Sequence, residues 1–467
     1  MSKKFLIFDS DDLKKFHKRV FFSIIVFLGF YFVAIFRIAD VMVFENNVKE
    51  ITNIKANIER GKIYDRNGQL LATNIHNYSL AANPLKINNK SDLSNQLSAI
   101  LFLDKEVIEK KLLSQKKFVW LKRNISPKEH QKIIELGEIH LRTLLETKRI
   151  YPFQNIGAHV LGYVDIDNKG QAGIERGLDD ILNKGENIFL TIDINLQNAV
   201  QEELESTIEK FSADSGVSLL IDIKNGEIIS LNNFPDFNPN RINLSSMEGR
   251  FNRALQANYE MGSIFKPILA AAAIDAGVAR PHDIFFCENG EFDIGGKKIG
   301  EAANHKFGWL TLRDIISKSS NIGSVKVAQQ LGKRSFYGYI KKFGFGQKTG
   351  VTLPGEAVGR FKELEAWDER SLASISFGHE ISATPLQMIS AVSAIANGGT
   401  LMVPRVTHAI IKNGSVTKRF KPKAVRRVVS IQTSRQVVEI MKHSVKTGTG
   451  GEAAIKGYEV AGKTGTA

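Results

Sequence analysis

The longest uncharged apolar run in the chain is VFFSIIVFLGFYFVAIF, residues 20–36. Its length sits at the short end for a helix that crosses a bilayer. Lys14, Lys15, Lys18 and Arg19 stand just before it, and a basic flank of this kind stays on the cytoplasmic side. Arg37-Ile38-Ala39 follows, with an arginine where signal cleavage needs a small residue. The pattern predicts an uncleaved signal anchor, with residues 1–19 as a cytoplasmic tail and the bulk of the chain outside. Residues 46–57 are polar and suit a helix leading away from the membrane. Residues 60–68 alternate and end in Asn67-Gly68, which predicts a hairpin. Residues 75–150 mix apolar and lysine-rich segments, and residues 157–175 are punctuated by glycine. Leu190-Thr191-Ile192-Asp193 opens another element. Two apolar runs, residues 217–223 and 227–231, flank Lys224-Asn225-Gly226 and predict a buried hairpin. The run Pro267-Ile268-Leu269-Ala270-Ala271-Ala272-Ala273-Ile274 is apolar on every side, so the helix it predicts is central. Helical stretches follow over residues 311–331 and 384–397.

A length of 467 residues implies two folded domains plus appendages. The net charge of +14 is scattered along the chain. Without zinc-ligand spacing, an RNA-binding signature or a long basic tail, the charge suits a solvated surface or an anionic envelope polymer, not nucleic acid. Cys287 is the one cysteine, so no intrachain disulfide forms, and it reads as a small core residue.

Three short motifs occur in order: Ser263-Ile264-Phe265-Lys266, Ser319-Ser320-Asn321 and Lys463-Thr464-Gly465. S-x-x-K, S-x-N and K-T-G together supply a nucleophilic serine, a base, a relay and a carboxylate-binding strand. Each motif alone is cheap. S-x-x-K recurs at Ser114 and Ser415, S-x-N at Ser230, and K-T-G at Lys348 and Lys446. Context chooses among them. Ser263 heads the buried helix, where free backbone N–H groups stabilise developing negative charge. Lys266 lies three residues on, and burial lowers a lysine pKa so that it can serve as a base. Ser319 and Asn321 end a helical stretch and can face a cleft from a turn. Lys463 and Thr464 follow a strand-like run, and Gly465 permits close backbone approach. Residues 457–464, GYEVAGKT, also match the phosphate-binding P-loop in form. That loop must lead into a helix, and the sequence offers none there.

The chain resembles the class B penicillin-binding proteins, monofunctional D,D-transpeptidases of cell-wall synthesis. The resemblance runs through R-G-x-I-x-D-R-N-G at Arg60 to Gly68, Arg149-Ile150-Tyr151-Pro152, Gly173-Ile174-Glu175, Tyr259-Glu260-Met261-Gly262-Ser263, Thr384-Pro385-Leu386-Gln387 and Gly448-Thr449-Gly450. It implies an α+β fold: an anchor at 20–36, an elongated pedestal or dimerisation domain at 37–200, and a serine β-lactamase-like D,D-transpeptidase domain at 201–467 with an antiparallel sheet between helices. It implies Ser263 as nucleophile, Lys266 as base, Ser319 as relay and Asn321 as a contact to the donor peptide. Lys463, Thr464 and Gly465 would receive the terminal carboxylate, and the N–H groups of Ser263 and Thr466 would form the oxyanion hole. No cofactor or metal is implied. The implied partners are peptidoglycan stem peptides and glycan strands derived from lipid II, β-lactams, the bacterial inner membrane, a septal glycosyltransferase and other divisome membrane proteins.

The short spacing from Ala158-His159-Val160-Leu161-Gly162 to Gly173 resembles the septal branch, with the elongation branch as the alternative. A β-lactamase would need an E-x-x-L-N run, and Glu369-Arg370-Ser371-Leu372 is followed instead by Ala373. A non-catalytic divisome scaffold is the other reading. In the family the strands beside K-T-G come later in sequence. Residues 458–465 are therefore expected as a strand without sheet neighbours, in a domain lacking its last strands and C-terminal helix. Residues 458–467 are expected to be loosely held beside Ser263, and the 467-residue form to be poorly active.

Overall fold

The computed structural model describes residues 10–39 and 58–466. Most of the proposed cytoplasmic tail's first half and the polar stretch 46–57 lie outside those residues. Residues up to Ile58 and residues from Glu59 onward form separate compact units.

Helix α1, Ser10–Ala39, is the helix of the first unit among the described residues. Residues Lys14–Arg37 are long and apolar enough to cross a membrane, and none of that apolar stretch is buried against protein. Phe27 and Phe30 are 81% and 75% exposed, as expected of a face that meets lipid rather than a core. The basic flank belongs to the same helix, because lysine and arginine are good helix formers and no proline interrupts the run.

The second unit begins with the hairpin expected from Asn67-Gly68. Strands β1, Ile63–Tyr64, and β2, Leu70–Ala82, pair antiparallel with Ile63 opposite Ala72. Asp65 Oδ1 accepts the N–H groups of Asn67 and Gln69, which closes the turn, and Gly68 has φ of +86°. Strand β2 carries β3, Val119–Ile125, on one edge and β4, Leu141–Ile150, on the other. Strand β1 also pairs in parallel with β5, Asn187–Leu190.

A buried charge cluster locks this region. Glu175 receives Arg60 Nε and Arg149 Nε at 2.7 Å each, and all three side chains are at most 3% exposed. Tyr151 donates its hydroxyl to the same carboxylate. These residues come from three of the segments that carry the family resemblance, so those segments converge on one point.

Helix α2, Ile194–Phe211, lies against the second predicted hairpin, β6, Gly216–Asp222, and β7, Glu227–Phe234. The Gln197 amide donates to Leu231 O and accepts from Leu231 N, so a side chain stands in for a neighbouring strand along β7. Strand β7 is mostly buried and β6 only partly so, and the pair forms a two-stranded sheet.

Helix α3, Lys266–Asp275, is buried from Lys266 through Ala273 and forms the centre of the largest core. Cys287 belongs to that core. The helix expected over 311–331 is two helices, α4, Leu312–Ser317, and α5, Asn321–Leu331. The break is Ser319, whose φ of +64° no α-helix accommodates. Asn321 therefore opens a helix instead of ending one. Strands β8, Thr407–Lys412, and β9, Ser415–Arg419, return to the N-terminal sheet, where β8 pairs with β5. The sheet thus has seven strands and draws two of them from beyond residue 400. Helix α6, Ile431–Thr447, packs beside α3 and α4. The strand expected over 458–465 makes no ladder. Residues 459–466 carry no strand assignment, and the one backbone bond they donate to other structure is Gly462 N–H to Met441 O at 3.3 Å.

Candidate active site

Ser263 lies in the 3₁₀ turn Gly262–Phe265 that runs directly into α3, and it is half-buried. The turn is held from outside. Gly262 N–H donates to Gly378 O at 3.0 Å. Gly378 has φ of +89°, and a Cβ there would fall 2.1 Å from Gly262 O. A side chain at 378 would therefore displace the turn that presents Ser263. Ser263 Oγ makes no hydrogen bond to the described residues, which leaves it available for attack.

Lys266 is fully buried at the first turn of α3, followed by Pro267 where proline is tolerated. Its Nζ donates to Ser319 O at 2.6 Å, Asn321 Oδ1 at 2.8 Å and Ser319 Oγ at 3.3 Å. These acceptors account for all three protons of an ammonium. Burial pushes the Lys266 pKa down to about 7, and the charge on Lys463 pushes the same way while Glu301 opposes both. Lys266 is thus poised between its two forms at neutral pH.

The left-handed backbone of Ser319 turns its carbonyl toward Lys266. Glu301 fixes the following residues. Its carboxylate accepts Ser320 Oγ at 2.5 Å and Asn321 N–H at 2.6 Å. Glu301 is itself buried, so these bonds are charge-assisted and shielded from water. Asn321 Nδ2 also donates to Gly300 O at 3.1 Å.

Lys463 approaches from the far side. Its Nζ donates to Ser319 Oγ at 3.0 Å and to Thr464 O at 2.7 Å. Burial lowers its pKa to about 8. The Ser319 hydroxyl therefore sits between two amines. Thr464 Oγ1 meets Thr449 Oγ1 at 2.8 Å. A Cβ on Gly465 would lie 2.6 Å from Ile264 Cγ2, so this segment abuts the turn that carries Ser263. Thr466 is exposed. Hydrogen bonds thus link Lys266, Ser319, Asn321 and Lys463, and Gly465 lies against the turn of Ser263.

Sequence reasoning missed three contributors. Glu301 lies far from every motif and carries no local signal. Gly378 is one glycine among many. Thr449 sits in a segment noted only for family likeness, yet Thr449 N–H donates to Ser317 O at 3.1 Å and its hydroxyl reaches Thr464. That loop ties the S-x-N turn to the K-T-G segment. Of the stray motifs, Ser114 follows the helix Lys105–Leu112 and Ser415 opens β9. The lysine of the P-loop match donates to Ser319 Oγ. Among the described residues no group of three His, Cys, Asp or Glu side chains could hold a metal ion.

Residues 216–467 match the penicillin-binding protein transpeptidase domain, and residues 55–212 match the penicillin-binding protein dimerisation domain. The chain belongs to the penicillin-binding proteins. This penicillin-binding protein is 33% identical over 452 residues to stage V sporulation protein D of Bacillus subtilis, a match covering 89% of this chain and 70% of that protein. It is 29% identical over 464 residues to the peptidoglycan D,D-transpeptidase FtsI of Escherichia coli, covering 92% and 76%. Its fold is similar to that of penicillin-binding protein 3 from Mycobacterium tuberculosis in complex with ampicillin. That similarity has a TM-score of 0.71 and 27% identity, and it covers 88% of this chain and 81% of the other.

Proposed function

We propose that this penicillin-binding protein is a peptidoglycan D,D-transpeptidase of cell division, anchored in the inner membrane by α1 with its catalytic domain outside the cytoplasm. The observation that carries the chemistry is the Ser319 hydroxyl held by Lys266 and Lys463, at 3.3 and 3.0 Å, beside the turn of Ser263.

The residues divide the work as follows. Neutral Lys266 takes the proton of Ser263, whose Oγ attacks the carbonyl carbon between the two terminal D-alanines of a stem peptide. The N–H groups of Ser263 and Thr466 receive the oxyanion. The Lys463 ammonium and the Thr464 hydroxyl hold the terminal carboxylate, and Gly465 lets the substrate lie close to the backbone. The C–N bond breaks, and the departing amine takes its proton through Ser319. Asn321 holds the donor peptide and orients Lys266. An acceptor amine from a neighbouring stem peptide then attacks the acyl-serine, returns a proton to Ser263 by the same relay and forms the cross-link. β-Lactams acylate Ser263 in the same way. With Lys266 near 7, roughly half of it is neutral at pH 7, while Lys463 near 8 remains mostly charged.

The compact 157–175 segment and the likeness to FtsI support the septal role, in company with a septal glycosyltransferase and other membrane proteins of division. The test is release of D-alanine and cross-linking of nascent glycan strands by the purified protein, together with depletion in cells. Depletion should give filaments. Rounded or swollen cells would move the protein to the elongation branch, and loss of neither product nor shape on Ser263→Ala would leave the scaffold reading.

A further inference from the structure

A second cavity, of about 690 Å³, opens far from Ser263 in sequence, where the dimerisation-type and transpeptidase-type segments meet. One wall is the C-terminal half of β4 with Lys148 and Arg149. The facing wall is the 239–250 segment with Asn243 and Arg250. Its polar groups are conspicuous for what they lack. Arg149 spends Nε on Glu175 and Nη1 on Asn74, yet its buried Nη2 has no partner. Lys148 Nζ has no hydrogen bond or ion pair to the described residues. Arg250 uses only Nε, on Ser246 O at 3.2 Å, so both of its terminal nitrogens are unused. The buried Asn124 Oδ1 on the same cavity also lacks a donor, on a residue held at φ of +55°.

Glu175 takes Arg149 Nε, but no carboxylate reaches Arg149 Nη2, Lys148 Nζ or the terminal nitrogens of Arg250 among the described residues. Asp165 is the one carboxylate in the lining, and it is occupied by the N–H groups of Asp167 and Lys169 and by the Gln171 amide. Arg123, also in the lining, is already neutralised by Glu146 and Asp167. Buried polar groups are nearly always satisfied, so the buried, unpartnered Arg149 Nη2 and Asn124 Oδ1 ask for a ligand, and the half-buried Lys148 and Arg250 add positive charge beside them. Guanidinium groups favour carboxylate and phosphate oxygens, and Asn124 Oδ1 asks for a hydroxyl. The volume is that of a small-molecule site, and such sites favour domain junctions.

We infer that this cavity binds a small oxyanion carried on a hydroxyl-bearing scaffold, of the class of sugar phosphates and sugar acids. The anion bridges Lys148 and Arg149 on β4 to Arg250, and a hydroxyl satisfies Asn124.

The experiment is isothermal titration of the full-length protein with glucose 6-phosphate, glucuronate, inorganic phosphate and glucose. Saturable one-to-one binding of glucose 6-phosphate or glucuronate is expected, with inorganic phosphate weaker and glucose silent. Binding to phosphate alone or to both anions identifies which oxyanion the site takes. Lys148→Ala and Arg250→Ala should each weaken binding about tenfold, the scale of one charge-assisted contact, and leave penicillin acylation unchanged. Lys463→Ala should leave the titration unchanged, which separates this cavity from the catalytic cleft. Arg149→Ala is not used, because it breaks the Glu175 cluster. No saturable binding up to about 10 mM, below which specific small-ligand affinities fall, would overturn the inference. So would equal binding of glucose, or affinities unaltered in both the Lys148 and Arg250 variants.

Discussion

Glu301→Gln separates two roles that one carboxylate plays. In the structure both oxygens of Glu301 are used, one on Ser320 Oγ and one on Asn321 N–H. The glutamine keeps one acceptor and replaces the other with an NH₂ donor. Ser320 can rotate its hydroxyl to suit, so the acceptor would turn to the N–H or the amine would face it. One buried donor is then left poorly satisfied in either case. A buried unsatisfied donor costs about 1–3 kcal/mol. Where that cost appears in the position of Ser319 and Asn321, it lowers the acylation plateau roughly 10- to 100-fold, since about 1.4 kcal/mol is one decade. The charge has a second, independent effect. Glu301 stabilises the ammonium of Lys266, so its removal lowers the Lys266 pKa further below about 7. Acylation requires neutral Lys266, so the rate rises with pH through that pKa. The acid limb of the pH–rate profile should therefore move to lower pH while the plateau falls. Stopped-flow acylation by a chromogenic β-lactam between pH 5 and 9 reads both. A limb that stays in place or moves to higher pH would refute the electrostatic part of the reasoning. An undiminished plateau would refute the positioning part.

Lys463→Ala removes a like charge from Lys266, so the acid limb should move to higher pH, opposite to the Glu301 variant. It should also cut acylation by carboxylate-bearing β-lactams, by about tenfold or more for the lost charge-assisted contact, as the same stopped-flow assay measures. In the unaltered protein the alkaline limb should fall as Lys463 loses its proton near 8. Gly378→Ala places a Cβ against Gly262 O at a backbone φ of +89°, so acylation should be nearly lost although residue 378 touches no substrate; a normal rate would show that the turn can shift without harm. Glu175→Ala leaves Arg149 buried without its carboxylate and Arg60 with Asp179 alone, a loss of about 3–5 kcal/mol that thermal melting should register.

What could be read along the chain and what could not divide by physical cause. The hairpins at Ile63–Ala82 and Gly216–Phe234 were legible because a turn and two neighbouring runs encode each locally. The helix behind Ser263 was legible because it is apolar on all sides, and Lys266 at its start stands out against that background. The return of Thr407–Lys412 to Asn187–Leu190 was not legible, since a pairing between strands more than 200 residues apart leaves no local trace. The split at Ser319 was hidden because the apolar periodicity continues from α4 into α5 across a left-handed serine. Glu301 was hidden because its partners lie 19 and 20 residues away. The structure brings Lys463 to Ser319 and Gly465 against Ile264, and residues 459–466, expected as part of a strand without sheet neighbours, carry no strand at all, since nothing lies alongside to pair with them.

The central claim is that Ser263 is the acylated residue of this cleft. Incubation with penicillin, followed by proteolysis and mass spectrometry of the peptides, tests it directly. One adduct is predicted, on the peptide containing Ser263, and none after Ser263→Ala. An adduct on another serine, or equal labelling of the Ser263→Ala protein, would contradict the account.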